Sequence, residues 1–165
     1  MATNLANGVR AERKLLLTVA EWGTGTTPNR ELLGTRTEDS SIEFNPDIET
    51  ITDILGITYT DVNKTEPQQS FDPYYVMGGS ALADYLTQAA LKNDIQAYNN
   101  QFTIYVITAF IGTSGAYYAV KHTGCSIIPQ SIGGDSYVNM PVEVHFSNNI
   151  TVGTVNKLSS DFQFS

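Results

Sequence analysis

The sequence predicts a mainly β fold, two packed β-sheets forming a sandwich or partial barrel, with one flanking α-helix in a single domain spanning residues 1–165. Three observations predict it. Val138, Met140, Val142, Val144 and Phe146 alternate with Tyr137, Asn139, Pro141, Glu143 and His145, the period of a strand with one dry face. Residues 102–111 are apolar at both parities (Phe102, Ile104, Val106 and Phe110 against Tyr105, Ile107, Ala109 and Ile111), as a strand central to a sheet requires. Only one segment, Ala81 to Leu91, repeats its apolar residues at helical spacing, through Leu82, Tyr85, Leu86, Ala89 and Ala90.

The remaining elements follow in chain order. Residues 1–13 are small and polar and read as an N-terminal arm, loose in an isolated copy and available to a neighbour. Residues 14–22 read as a strand and 23–29 as a Gly- and Pro-punctuated loop. Residues 31–37 and 41–44 form a further strand broken by the polar stretch around Ser40, and Pro46 interrupts it. From Ile48 to Val62 the chain is rich in Thr and Ile, and Leu55, Ile57 and Tyr59 alternate with Gly56, Thr58 and Thr60, predicting a strand with a dry and a wet face. Residues 63–73 lack periodicity and hold two prolines, so they are expected to be an exposed connection. Ser80 is placed to cap the helix that follows. Gly112–Gly115 reads as a hairpin turn into a strand over 117–122, and a last strand spans 150–155. The final residues, 158–165, alternate Phe162 and Phe164 with polar side chains and read as a second arm. The total is seven or eight strands and one helix.

A chain of 165 residues buries roughly 70% of its unfolded surface and needs no covalent staple. The single cysteine, Cys125, rules out an internal disulfide and any Cys-based metal cluster. No apolar run approaches the roughly 20 residues of a spanning helix, and the run Leu15–Ala20 is too short for a signal core, so neither membrane anchoring nor export is expected. The Asn63 and Asn149 sequons are then chance matches. Between Glu38 and Asp72 nine acids face one base, Lys64, so this segment carries the whole formal charge of −8. Such a surface repels a phosphate backbone, which argues against stable nucleic-acid binding.

Candidate chemistry is sparse. His122 and His145 are the only histidines, and Glu143 shares a strand face with His145, yet no third ligand or nucleophile accompanies them. Cys125 sits in no recognisable nucleophile context, and the clusters at Gly23–Gly25 and Gly133–Gly134 match neither dinucleotide nor phosphate-loop spacing. Asn45-Pro-Asp47-Ile-Glu49 only faintly follows a calcium-loop pattern. The expectation is therefore no catalytic residue, no cofactor, no metal, and no enzymatic activity. Long strands leave edges that invite pairing with another copy.

The run Ser41-Ile-Glu-Phe-Asn-Pro-Asp-Ile-Glu-Thr-Ile-Thr-Asp-Ile-Leu-Gly56, continued by Thr58-Tyr-Thr-Asp61 and Lys64-Thr-Glu-Pro67, resembles the central region of the tail tube (major tail) proteins of long-tailed bacteriophages. With the downstream order of glycine turn, helix and strands, the resemblance extends over about residues 14 to 157. It implies a virion structural protein, made in the host bacterial cytoplasm, whose copies close into hexameric rings and stack into a tail tube. Its partners would be itself, other tail proteins (tape measure, tail terminator, and sheath where one exists), and DNA that passes through without stable binding. On this reading Glu43, Glu49, Asp53 and Asp61 line an acidic lumen, and Asn63, Lys64, Glu66, Pro67 and Gln68 belong to a loop touching the next ring. A head decoration or head-to-tail connector protein is the nearest alternative, followed by a β-sandwich carbohydrate-binding module.

Overall fold

A computed structural model describes all residues, 1–165. Ten strands and two short helices follow a 3-10 turn at Arg13–Leu15: β1 (Leu16–Trp22), β2 (Asn29–Leu32), β3 (Ile42–Glu43), β4 (Pro46–Thr52), β5 (Thr58–Thr65), β6 (Gln68–Phe71), α1 (Ala81–Leu91), α2 (Ile95–Tyr98), β7 (Phe102–Thr113), β8 (Ala116–Pro129), β9 (Val142–His145) and β10 (Ile150–Val155). The architecture is mainly β and antiparallel, as the sequence predicts, and is not a closed barrel.

Strand β8 organises the body because it serves two sheet layers. Its first half lies between β7, which continues to β1 and β2, and β10 on its other side. Its last four residues, Ser126–Pro129, leave β7 and pair with β9, which continues to β6 and β3. The change of layer occurs at Gly124, whose φ of +81° suits glycine, beside a register shift opposite Phe102 and Thr103. A bulge of this kind bends and twists a strand, here enough to fold one layer over the other.

The layers enclose Ala20, Trp22, Phe102, Ile104 and Cys125 from the first side and Phe71, Ile127, Val142 and Val144 from the second. Leu82, Ala83 and Leu86 of α1 complete this core. The helix starts where predicted. Ser80 Oγ accepts from the N–H of Ala83 (3.1 Å), and the Glu31 carboxylate of β2 accepts from the N–H of Leu82 (3.1 Å) and from the Ser80 hydroxyl (2.5 Å). Two orphan donors of the first turn are thus satisfied, and a negative charge sits at the positive end of the helix dipole.

Several strand and loop expectations are corrected. Residues 48–62 are not one strand with a dry face but most of an antiparallel hairpin, β4–β5, whose residues outside the turn are all exposed; the short β3 ends before Pro46, as expected, and β4 begins there. Residues 63–73 are not an exposed connection. Asn63, Lys64 and Thr65 finish β5, and β6 then delivers Gln69 and Phe71, each 1% exposed, into the interior. The strand expected over 31–37 ends at Leu32, and the alternation over 138–146 forms a strand only over Val142–His145 because Asn139 bridges instead to Gly133 and Tyr75.

The C-terminal residues, expected as a loose arm, are packed. Phe162 is 2% exposed and meets the Tyr105 ring edge-on at 4.8 Å, over the sheet face formed by Val19, Ile107, Ala119 and Val155. Thr154 and Ser165 exchange two backbone hydrogen bonds (2.8 and 3.0 Å), which covers the end of the β10 edge. At the other terminus, Thr3 bridges Ile111 and the Asn4 N–H donates to the Phe110 carbonyl (3.0 Å), while residues 1–13 stay almost wholly exposed.

Candidate assembly surface

The β4–β5 hairpin is the part of the molecule with the least reason to exist alone. Its strands pair only with each other, and every residue from Pro46 to Glu66 except the half-buried Asp53 is exposed. An isolated two-stranded hairpin is marginal in water, so one that carries Ile48, Ile51, Ile54, Leu55, Ile57, Tyr59 and Val62 into solvent calls for a covering surface. The tip is the extreme case, with Ile54 fully exposed and Leu55 at 78%.

Its shape is set by Asp53. The carboxylate accepts from the N–H groups of Leu55 (2.8 Å) and Ile57 (3.0 Å), while the Gly56 N–H donates to the Asp53 carbonyl (3.0 Å). The spacing Asp53-Ile-Leu-Gly56 is a turn pattern, and Gly56 adopts φ +77°. That signal was present in the sequence. The alternation of Leu55, Ile57 and Tyr59 competes with it and points to a buried strand instead.

The four acids predicted as a group are only partly brought together. Glu49 and Asp61 are direct cross-strand partners in the hairpin. Asp53 is spent on the turn, and Glu43 lies in β3, where Gln68 Nε2 approaches it at 3.5 Å. Of the predicted contact loop, Asn63 reaches Glu49 at 3.5 Å and Lys64 pairs with Glu66 at 2.7 Å on the open surface. That pairing raises the Lys64 pKa and lowers that of Glu66. Gln68 is opposite both Glu43 and His145 in the second layer.

Beside the root of the hairpin the two layers part. Leu16, Val106, Thr108 and Val120 of the first layer face Ile42, Phe44, Pro67 and Phe146 of the second across an open cleft of about 530 Å³. Arg13 stands at its edge, donating to the carbonyls of Leu16 (2.6 Å) and Ser40 (2.7 Å). No Asp or Glu lines it.

The histidines and the cysteine do not converge on one site. His145 Nε2 lies 2.6 Å from Glu143 on β9, but no group of three His, Cys, Asp or Glu side chains is placed to hold a metal ion. His122 is nearly buried against Phe146, with Nδ1 3.0 Å from the Ser147 carbonyl. Cys125 is 1% exposed, and burial pushes its thiol pKa up, the direction opposite to activation. No helix is long and apolar enough to cross a membrane.

No family model matches the sequence, and no curated protein matches it. Among solved structures, a chain of the anti-feeding prophage baseplate, determined by cryo-EM with 6-fold symmetry, superposes with a TM-score of 0.52 at 7% identity, over 90% of this chain and 97% of that one. At that identity the two share a fold. A chain of the anti-feeding prophage tube-terminating cap (TM-score 0.47, 12% identity, 92% and 95% coverage) and one of an extracellular contractile injection system sheath–tube complex (0.46, 12%, 90% and 95%) are looser likenesses and add no weight.

Proposed function

We propose that this chain is a non-catalytic structural subunit of a phage-tail-like particle, and that copies of it join head to tail into the stacked, hexameric rings of a tube. The observation that carries the reading is the β4–β5 hairpin, an ordered projection with an apolar tip and no partner within its own chain. An exposed patch of this kind marks an interface. The shared fold with a baseplate chain of a 6-fold particle supports the setting. A self-complementary dimer would end growth, whereas a projection that meets a different surface on the next copy generates rings or filaments.

Within such a tube the cross-strand pair Glu49 and Asp61 is the best-placed source of an acidic channel wall past which DNA slides without sticking. A second reading, a ring of the baseplate instead of the tube, is favoured by the baseplate likeness itself.

Negative-stain electron microscopy of the purified chain at high concentration, beside light-scattering mass, tests the proposal. Hollow tubes support the tube subunit and single unstacked rings the baseplate reading, while a monomer at every concentration refutes self-assembly. Lysine at both Glu49 and Asp61 is expected to slow DNA ejection from particles whose tubes still form; unchanged ejection removes the channel role from these two residues.

A further inference from the structure

The hairpin tip and the interlayer cleft are complementary in three respects. Both are apolar, the tip through Ile54 and Leu55 and the cleft through Leu16, Val106, Val120 and Phe146. Their charges are opposite, since residues 46–65 carry four acids, Asp47, Glu49, Asp53 and Asp61, against Lys64, whereas the cleft has Arg13 at its edge and no acid. Their shapes also correspond, a narrow two-residue projection against an open hollow of about 530 Å³.

The tip cannot fill the cleft of its own chain. Phe44 and Pro67, which flank the root of the hairpin, are part of the cleft wall, and seven extended residues carry the tip about 23 Å away from that root. The occupant that fits is therefore the tip of a second copy.

We propose that the Ile54–Leu55 tip of one copy seats in the cleft between the two sheet layers of the next. This rests on the reading of the chain as a self-assembling subunit and specifies the contact. Tip and cleft are different surfaces of the chain, so copies joined in one direction leave a free tip and a free cleft after each addition, whereas two copies that exchange tips reciprocally close as a dimer. Joined in one direction, growth continues copy upon copy, with the hairpin length setting the spacing.

Disulfide trapping tests the contact directly. Leu55→Cys and Val120→Cys chains, one lengthened by a tag so that mixed dimers are distinguished by mass, are combined and oxidised at a concentration where the wild-type chain assembles. Leu55→Cys with Tyr137→Cys, an exposed position lining a separate cleft, is the comparison. The buried Cys125 does not compete. The expected result is at least tenfold more mixed dimer from the Leu55–Val120 combination. Equal yields in an assembling protein overturn the docking and leave self-assembly standing. A wild-type chain monomeric at all concentrations overturns both. As a second readout, Ile54→Asp with Leu55→Asp, at positions that contribute nothing to the core, raises the concentration needed for assembly at least tenfold without changing the melting temperature; an unchanged assembly concentration also overturns the docking.

Discussion

Glu49 and Asp61 stand directly opposite each other across the β4–β5 ladder, and neither forms a salt bridge. Like charges in facing positions of an antiparallel pair destabilise it, so the hairpin keeps this pair at a cost to its own stability. Asp61→Asn is expected to tighten the hairpin by about 0.2–1 kcal/mol, the usual scale of a cross-strand pair. Amide exchange at residues 48–62 would slow by roughly 1.4- to 5-fold, with no loss elsewhere. Faster exchange would show that the two carboxylates stabilise the ladder.

The two sheet layers are tied by one buried polar contact. The Thr18 hydroxyl of β1 donates to Gln69 Oε1 of β6 at 2.9 Å, and Gln69 Nε2 donates to Ser40 Oγ at 3.1 Å. Thr18→Val leaves the amide oxygen short of a partner in the interior and is expected to cost about 1–3 kcal/mol. Thr18→Val combined with Gln69→Leu should recover part of that loss, because an apolar pair strands nothing between the layers. A double variant whose loss is the sum of the two single losses in denaturant unfolding would show that the two residues act independently.

Tyr74 is buried and its hydroxyl has no hydrogen-bond partner. Burial pushes its pKa up to about 12. Tyr74→Phe is therefore expected to be neutral or stabilising by up to about 1 kcal/mol at pH 7. The sign above pH 10 is fixed by linkage. The folded state holds the phenolic proton more tightly than the unfolded chain, so the wild type loses stability as pH rises from about 10 toward about 12, and the Phe variant lacks that loss. Chemical denaturation at pH 8 and pH 11 should show the gap widening in favour of Phe; a constant gap would mean the phenol is not held neutral by folding.

What the sequence disclosed and what it hid divide along the range of the interactions involved. Ser80 and the 81–91 helix were legible because a cap and a 3.6-residue period are local, and β7 because a strand buried on both faces has apolar residues at both parities. The hairpin was misread because alternation at Leu55, Ile57 and Tyr59 has the same form whether the dry face meets this chain's core or solvent. β6 was hidden by its polar sequence, Gln-Gln-Ser-Phe, in which Gln69 is buried only because Thr18, 51 residues away, supplies a partner. Of the candidate site, the acidic character of the segment was plain, and the facing of Glu49 and Asp61 followed only once the turn at Asp53 was known.

The C-terminal residues depend on Arg30. Its guanidinium meets Glu21 at 2.5 Å, donates to the Phe162 carbonyl at 2.6 Å, and lies 4.4 Å from the Phe162 ring centroid. Phe162→Ala removes a ring that is 2% exposed and is expected to cost about 3 kcal/mol, lowering the melting temperature by roughly 6–12 °C. Arg30→Met keeps the apolar stem but leaves the Glu21 carboxylate with only the long contact from the Tyr105 hydroxyl (3.3 Å) and releases the Phe162 carbonyl, so residues 158–165 should become protease-sensitive in a body that remains folded. Resistance to proteolysis in that variant would mean the packing of Phe162 alone suffices.

Asp53→Ala separates the shape of the hairpin tip from the stability of the body. The carboxylate holds the turn through the Leu55 and Ile57 N–H groups and makes no contact with the two-layer core. Hydrogen bonds to a charged acceptor contribute about 1.5–3 kcal/mol, less where water competes, so the variant's cost falls on the turn itself. Amide exchange at residues 55–57 is expected to accelerate by about tenfold or more, while the melting temperature of the body stays within about 1 °C because β4 and β5 pair with no other strand. If an ordered tip is what the next copy receives, loosening it adds an ordering cost to every addition, and assembly should require a higher concentration although Ile54 and Leu55 are unchanged. Asp53→Asn, which preserves an acceptor oxygen, should restore most of the turn and most of the assembly. An Asp53→Ala chain with a loosened tip but undiminished assembly would separate the order of the tip from its role in joining copies.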